Sequence, residues 1–155
     1  MRILFVDVDD PLIPASALLV NRLASFERKI SRTPLVILNT ICDITGAKVV
    51  MNTTHNRDYP SVLTIHESMI LGGFDPDNFY FRNSKTKYPY IQRDVAVTDW
   101  VSYYLNEDDD YVCIDDVVCT DDDHMELVDP IVGLTIHNAN NIIERWGGDR
   151  IVFCI

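Results

Sequence analysis

The sequence predicts an α/β fold in which helices cover both faces of a parallel sheet, forming a three-layer α/β/α sandwich. Short apolar segments of strand length alternate along the chain with longer segments in which apolar residues recur at helical spacing. Strands of a parallel sheet are buried on both faces, so they are typically continuous apolar runs. The chain has 155 residues, which suits a single domain over residues 1–155.

The clearest strand predictions are the apolar runs at 3–6, 48–51 and 111–114, each of which ends in polar or acidic residues. Two further segments, 78–81 and 150–155, are weaker strand candidates. Helices are predicted at 12–30, 33–45, 59–71, 94–105 and 138–146. Thr33 and Pro34 form a typical helix start, and Gly46 is a suitable residue to follow the end of that helix.

The charge of the chain limits what it can bind. Thirteen Lys and Arg residues against 24 Asp and Glu residues give a formal net charge of −11, which repels a phosphate backbone. Tight nonspecific nucleic-acid binding is therefore not expected. Binding of a small or terminal phosphate through local charges and a metal is compatible with this net charge. We also expect no membrane association and a cytoplasmic location, since residues 1–10 lack a signal-peptide pattern and no apolar run approaches membrane-spanning length.

Polar side chains follow three of the predicted strands: 7–10, 52–55 and 115–116. The carboxyl ends of parallel strands meet at one edge of a sheet, where ligands of such folds bind. Clustered carboxylates repel one another unless a cation neutralises them, and oxygen ligands of this kind suit Mg²⁺. Acids after a single strand are often only turn residues, but three such strand ends in one short chain favour a site.

Asp7 and Asp9 are separated by one residue, so their side chains point the same way if the backbone is extended. One carboxylate can attack phosphorus as a nucleophile while the other handles the proton of the leaving group. The sequence therefore predicts a pair of catalytic aspartates directly after the first strand.

Hydroxyls and a cation are needed to hold phosphoryl oxygens, and the sequence offers more than one of each. Thr53 and Thr54 are both candidates for the phosphate-binding hydroxyl. Arg93, at the start of a predicted helix, is the preferred cation, with Lys85 and Lys87 as alternatives. The histidines, the acidic runs at 108–110 and 121–123, and the tyrosines are more simply explained as loop, surface and packing residues.

Four segments, in this order and spacing, resemble the motifs of the haloacid-dehalogenase-like (HAD-like) superfamily: 4–13, 49–54, the Arg93 region and 111–116. The sequence most closely resembles the small HAD domains of Swiss Army Knife RNA repair proteins. That closer resemblance includes Thr-Gly-Ala-Lys at 45–48, Arg93 followed by Trp100, and Asp-Pro-x-x-Gly-Leu-Thr at 129–135. The resemblance implies a Rossmann-like HAD fold, and segments 14–32 and 55–92 are too short to form a large cap domain.

The resemblance also implies roles for individual residues. Asp7 would form an aspartyl-phosphate, and Asp9 would act as acid and then as base. Thr53, or alternatively Thr54, would bind the phosphoryl group, and Arg93 would balance its charge.

The cofactor that the resemblance implies is Mg²⁺. It would be held by Asp7, the backbone carbonyl of Asp9 and Asp116, with Asp115 beside them. The sequence departs from the family pattern at two places around the site. Asp10-Pro11 stands where the superfamily often has glycine. Asn56 stands where the relatives have an arginine, and Arg57, one residue later, could substitute for that arginine.

Two functional hypotheses follow. The first is a Mg²⁺-dependent phosphatase that acts on a nucleotide or on a polynucleotide terminal phosphate. The alternative is a catalytically weak HAD-like binding protein, for example a phage-encoded one, that captures a phosphorylated ligand or a host protein. The intact pair of Asp7 and Asp9 favours the enzyme, because a binding protein would not need both.

Overall fold

A parallel sheet lies at the centre of the molecule. The computed structural model describes residues 1–15, 30–54 and 59–152. Within them the sheet has four strands: β1 (Arg2–Val6), β2 (Lys48–Met51), β3 (Asp110–Asp115) and β4 (Met125–Leu127). Their order is β2-β1-β3-β4, and all neighbouring pairs are parallel. The three strands predicted from long apolar runs therefore lie next to one another.

Four helices accompany these strands in the described residues: α1 (Arg32–Thr45), α2 (Tyr59–Leu71), α3 (Arg93–Tyr104) and α4 (Ile136–Arg145). Side chains alternate along β1, so Leu4 and Val6 face a large apolar cluster that includes α1, α2 and α4. Ile3 and Phe5 face a smaller cluster on the other side, where Trp100 of α3 packs. The predicted three-layer α/β/α architecture is confirmed.

The boundaries of α1 show how local signals place a helix. Gly46 ends it in the left-handed conformation with φ of 71°, and its N–H donates to the carbonyl of Cys42 at 2.8 Å. The helix starts slightly earlier than predicted: Ser31, not Thr33, is the capping residue, and its side chain makes no capping hydrogen bond. Pro34 still lies in the first turn, where its missing N–H costs little.

Several predicted boundaries were wrong. Residues 78–81 form no strand: a 3₁₀ helix (Pro76–Asn78) is followed by a single bridge between Phe79 and Val49. α4 starts at Ile136 rather than at 138, because Thr135 and Asn138 form a capping box. Residues 150–152 are not in a strand, whereas 153–155, most of the helix predicted at 12–30, and residues 55–57 lie outside the described residues.

β4 was not predicted. Its three residues are only partly buried and have a glutamate at their centre, so their composition gives no apolar signal. The strand forms because the edge of β3 offers backbone partners, which pair Cys113 with Met125 and Asp115 with Leu127. A 3₁₀ helix (Asp122–His124) leads directly into it.

The described part of the segment between β2 and α3 belongs to the core. Met69, Phe74 and Phe79 are buried in the large apolar cluster, so 65–79 cover the sheet instead of forming a separate cap. Among the described residues, no helix is both long enough and apolar enough to cross a membrane.

Candidate active site

The carboxyl ends of the three central strands meet at one level. Val6, the last residue of β1, is in register with Met51 of β2 and with Ile114 of β3. The ladder continues one residue further: the N–H of Asp7 donates to the carbonyl of Ile114 at 3.1 Å, and the N–H of Asn52 donates to the carbonyl of Val6 at 2.9 Å. Asp7 is therefore fixed between the ends of β2 and β3.

Asp7 is surrounded by groups that interact with a carboxylate. Its side chain is almost fully buried, and its Oδ1 accepts a hydrogen bond from the N–H of Val8 at 2.7 Å. The hydroxyl of Thr53 donates a second hydrogen bond, and Nη2 of Arg93 lies 3.8 Å from Oδ2. Burial nevertheless outweighs these contacts and raises the pKa of Asp7 to about 6.

Arg93 is held in place from several sides. Its Nη1 donates to both carboxylate oxygens of Asp115, at 2.7 and 2.8 Å, and its Nη2 donates to the Tyr88 hydroxyl at 3.2 Å. The guanidinium carbon lies 4.8 Å from the centre of the Tyr88 ring, a cation–π contact. Arg93 thus presents a fixed positive charge to Asp7.

The two lysine alternatives are placed differently. Lys87 is exposed and pairs with Asp99 of α3, its Nζ lying 3.2 Å from Oδ2. Lys85 is half-buried, and its backbone bridges to Met51 at the end of β2. The geometry therefore favours Arg93 as the cation that faces Asp7.

Three carboxylates form an acidic cluster at this edge of the sheet. Asp7, Asp115 and Asp116 each place one oxygen so that all three lie within 4.8 Å of one another. Asp7 and Asp115 are buried, and Asp116 is half-buried. Burial, and next the charge of Asp7, raise the pKa of Asp115 well above its usual range, although Arg93 opposes this rise.

This cluster fits Mg²⁺, the metal that HAD proteins typically use. Its donors are hard oxygen atoms, which Mg²⁺ prefers. Burial raises the pKa of both Asp7 and Asp115 although Arg93 lies beside them, so ionisation of these two carboxyl groups is unfavourable without a further cation. A divalent cation beside them would lower both pKa values and remove the repulsion.

Asp9 forms an isolated parallel bridge with Ile13, in the turn that follows β1. The chain leaves β1 after Val6, and the N–H groups of Leu12 and Ile13 both donate to the carbonyl of Val8 at 3.1 Å. Asp9 is half-buried in this turn, and its charge contributes to the raised pKa of Asp7. The charges of Asp7 and Asp9 therefore interact, although burial is the main cause of the raised pKa of Asp7.

Asp10 is a site residue that the sequence did not indicate. It adopts a left-handed conformation with φ of 72°, which explains why the superfamily often has glycine at this position. Asp is among the few other residues that tolerate this conformation. Burial, followed by the charge of Asp116 and a hydrogen bond to it, raises the pKa of Asp10. Its carboxyl group therefore adds to the acidic edge.

A late segment of the chain braces this turn. The N–H of Leu134 donates to the carbonyl of Pro11 at 3.0 Å. Gly133 has a φ of 80°, and a Cβ there would lie 3.0 Å from Pro14 and 3.1 Å from the carbonyl oxygen of Asp10. The Gly-Leu pair of the 129–135 motif thus serves to hold the turn that contains Asp9 and Asp10.

The two threonine candidates differ in position. Thr53 is fully buried and donates to Asp7, whereas Thr54 is exposed. Tyr88, the partner of Arg93, was interpreted as a packing residue, and no spacing in the sequence signals its contact. His55 and Arg57 lie outside the described residues.

A parallel sheet that holds a buried aspartate at the end of its inner strand, with paired acids on the next strand, is the arrangement of HAD-like hydrolases. The chain belongs to the family of HAD domains in Swiss Army Knife RNA repair proteins, because the model of that family matches residues 3–139. The match runs from β1 to the first turn of α4 and indicates a hydrolase of the phosphoester type. No curated protein and no solved structure matches the chain.

Proposed function

We propose that this protein is a Mg²⁺-dependent phosphatase that hydrolyses a nucleotide or a polynucleotide terminal phosphate through an aspartyl-phosphate on Asp7. The observation that supports this most is the setting of Asp7: a buried carboxylate with Oδ1 fixed by the N–H of Val8 and Oδ2 lying 3.8 Å from Arg93. A carboxylate held in this way can attack phosphorus, and the cation beside it can bind the transferred phosphoryl group.

The reaction has two halves. An oxygen of Asp7 bonds to phosphorus while the ester bond breaks, and Asp9 gives its proton to the departing oxygen. Asp9 then takes a proton from water, whose oxygen attacks phosphorus, so that phosphate leaves and the Asp7 carboxylate is regenerated. Thr53 and Arg93 stabilise the phosphoryl oxygens in both halves.

The proposed Mg²⁺ ligands are Asp7, the backbone carbonyl of Asp9 and Asp116. Asp115, whose two oxygens are engaged by Arg93, lies beside them and positions that cation. When bound, Mg²⁺ supplies positive charge that offsets the repulsion between an anionic substrate and the acidic cluster.

The test is hydrolysis of a generic aryl phosphate with and without Mg²⁺. We expect Mg²⁺-dependent turnover by the wild type and a loss on the order of 10⁴-fold or more in Asp7→Asn, because an amide cannot form the acyl phosphate. Asp43→Asn, which removes an exposed carboxylate of α1, is the matched control and should keep wild-type activity.

Beryllium or aluminium fluoride gives a second readout. These phosphoryl mimics should bind the wild type beside Asp7 and fail to bind Asp7→Asn. Substantial phosphatase activity in Asp7→Asn would contradict the covalent mechanism. Binding of the fluorides by a wild type that shows no turnover of any phosphate monoester would support the binding-protein hypothesis instead.

A further inference from the structure

A groove of about 740 Å³ opens beside the candidate active site. It lies between the first turns of α3 and the loop that follows β3, and both Arg93 and Tyr88 line it. The same two residues form the cationic side of the site, where Arg93 lies 3.8 Å from Asp7. The groove is therefore next to the position of a phosphoryl group that is bound to Asp7 and Arg93, and it is of ligand-binding size.

One wall of the groove is apolar. Val117 and Val118 directly follow the acids of β3, and they are 52% and 56% exposed. Exposure of two neighbouring valines to water is unfavourable, and these side chains contribute nothing to the core. They give the groove a surface that suits an uncharged organic group.

The ionic side chains of the groove are mainly acidic. Asp94, in the first turn of α3, and Asp121, before β4, are both exposed and line it. Asp121 is held by His124, whose Nδ1 lies 2.7 Å from Oδ1, and this contact lowers the pKa of Asp121. Arg93 is the only cation among the described lining residues, and its guanidinium is already engaged by Asp115 and Tyr88.

We propose that this groove binds the leaving group of the substrate as an uncharged, nucleoside-sized group, and that Asp94 and Asp121 select against a second phosphate. The preferred substrate would then be a mononucleotide rather than the end of a polynucleotide. This inference rests on the proposed phosphatase function. It agrees with the net charge of −11, since a substrate with several phosphates approaches such a surface unfavourably.

The test compares substrates that differ in one phosphate. Phosphate release is measured for a nucleoside 5′- or 3′-monophosphate, whichever is faster, for the corresponding 3′,5′-bisphosphate, and for an oligonucleotide that carries its terminal phosphate at the same end as that monophosphate. We expect kcat/KM to favour the monophosphate about tenfold at low salt, with each carboxylate contributing roughly two- to fivefold. The preference should shrink at about 1 M salt, where the screening length falls to about 3 Å.

The double variant Asp94→Asn, Asp121→Asn assigns the effect to the groove. It should reduce the preference to about twofold, while Asp43→Asn, which removes a carboxylate of α1 that does not line the groove, should leave the preference unchanged. Both substituted positions are exposed. An asparagine at position 121 can still accept the hydrogen bond that the backbone N–H of His124 donates to Asp121. A thermal melt that matches the wild type verifies that the double variant is folded.

Equal or faster hydrolysis of the bisphosphate or the oligonucleotide would overturn the inference. A preference that does not change in the double variant would overturn it as well. Activity on an aryl phosphate distinguishes a wrong role for the groove from a wrong assignment of phosphatase activity. Turnover of the aryl phosphate that depends on Asp7, without selection among nucleotides, would refute only the role of the groove. Absence of any turnover that depends on Asp7 would refute the phosphatase itself.

Discussion

The two ends of β3 hold aspartates in opposite electrostatic states. At the amino end, Asp110 accepts a hydrogen bond from Nε1 of Trp146 at 2.7 Å and pairs with Arg145 at 3.2 Å. Burial alone would raise the pKa of Asp110, but these two partners lower it below its usual value. At the carboxyl end, burial raises the pKa of Asp115 even though Arg93 contacts both of its oxygens.

The opposite pKa shifts of Asp110 and Asp115 distinguish an acid whose charge is balanced by its neighbours from one whose charge is not. Asp110 has partners from α4, so its charge is balanced by the protein and it serves to join that helix to the sheet. Among the described residues, Asp115 shares one arginine, Arg93, with Asp7 and has Asp116 next to it, so negative charge is in excess in this part of the site. Unbalanced, buried carboxylates with shifted pKa values are typical of functional sites. The following predictions test this contrast.

The largest effect in this series is expected for Asp9→Asn, which removes the acid without touching the proposed nucleophile. Turnover should fall on the order of 10²–10⁴-fold, because the leaving group must depart without a proton. The loss should be smallest for aryl phosphates with good leaving groups and largest for alkyl phosphates. A loss of the same size for every leaving group would contradict an acid role for Asp9.

Asp116→Asn should weaken Mg²⁺ binding by at least about tenfold and reduce activity in parallel, since one oxygen ligand is lost. Calorimetric titration with Mg²⁺ measures the affinity independently of turnover. Asp110→Asn, at the balanced end of the same strand, is the control and should bind Mg²⁺ as the wild type does. Unchanged affinity in Asp116→Asn would place the metal elsewhere.

Removal of the charge of Asp7 should stabilise the metal-free protein. The pKa of Asp7 is about 6 in the fold against an ordinary value of 3.8, so the folded state holds more protons than the unfolded state between these pH values. Stability therefore falls as pH rises through this window. At pH 8 without metal, Asp7→Asn should unfold with a free energy about 2 kcal/mol higher than that of the wild type, as measured by urea denaturation.

Saturating Mg²⁺ should reverse that order, because the cation stabilises only a chain that retains its ligands. A wild type that remains more stable than Asp7→Asn at every pH without metal would show that Asp7 is not electrostatically strained. That result would remove the contrast between the two ends of β3.

Asp110→Asn should have the opposite and smallest effect, a loss of about 1 kcal/mol at pH 7, because a half-exposed ion pair and its hydrogen bonds contribute modestly. The pKa of Asp110 is lowered in the fold, so the stabilisation that its charge provides is present above the ordinary value of 3.8 and is lost as pH falls through the folded pKa. The difference in unfolding free energy between Asp110→Asn and the wild type should accordingly disappear in strong acid. A difference that persists there would point to packing of Trp146 instead.

The central strands, and the edge of the sheet at which the site lies, could be predicted from the sequence. Continuous apolar runs predicted three of the four strands in the described part of the chain, since burial on both faces leaves little choice of residue in 3–6, 49–51 and 112–114. The carboxyl ends of parallel strands meet at one edge of a sheet, so Asp7 and Asp115 could be assigned to the same edge from the sequence, and the observed register brings them to one level. The roles assigned to them stay predictions.

The contacts that distinguish one candidate residue from a similar neighbour depend on the tertiary structure and could not be predicted from the sequence. Thr53 and Thr54 are equivalent in sequence, but the direction of the chain after β2 buries the first and exposes the second. Tyr88 reaches Arg93, and Asp10 reaches Asp116, through turns whose geometry is fixed by distant segments. Local patterns encode burial and helix ends, because these depend on neighbouring residues. Side-chain pairing across loops depends on where separate segments meet, which no local pattern specifies.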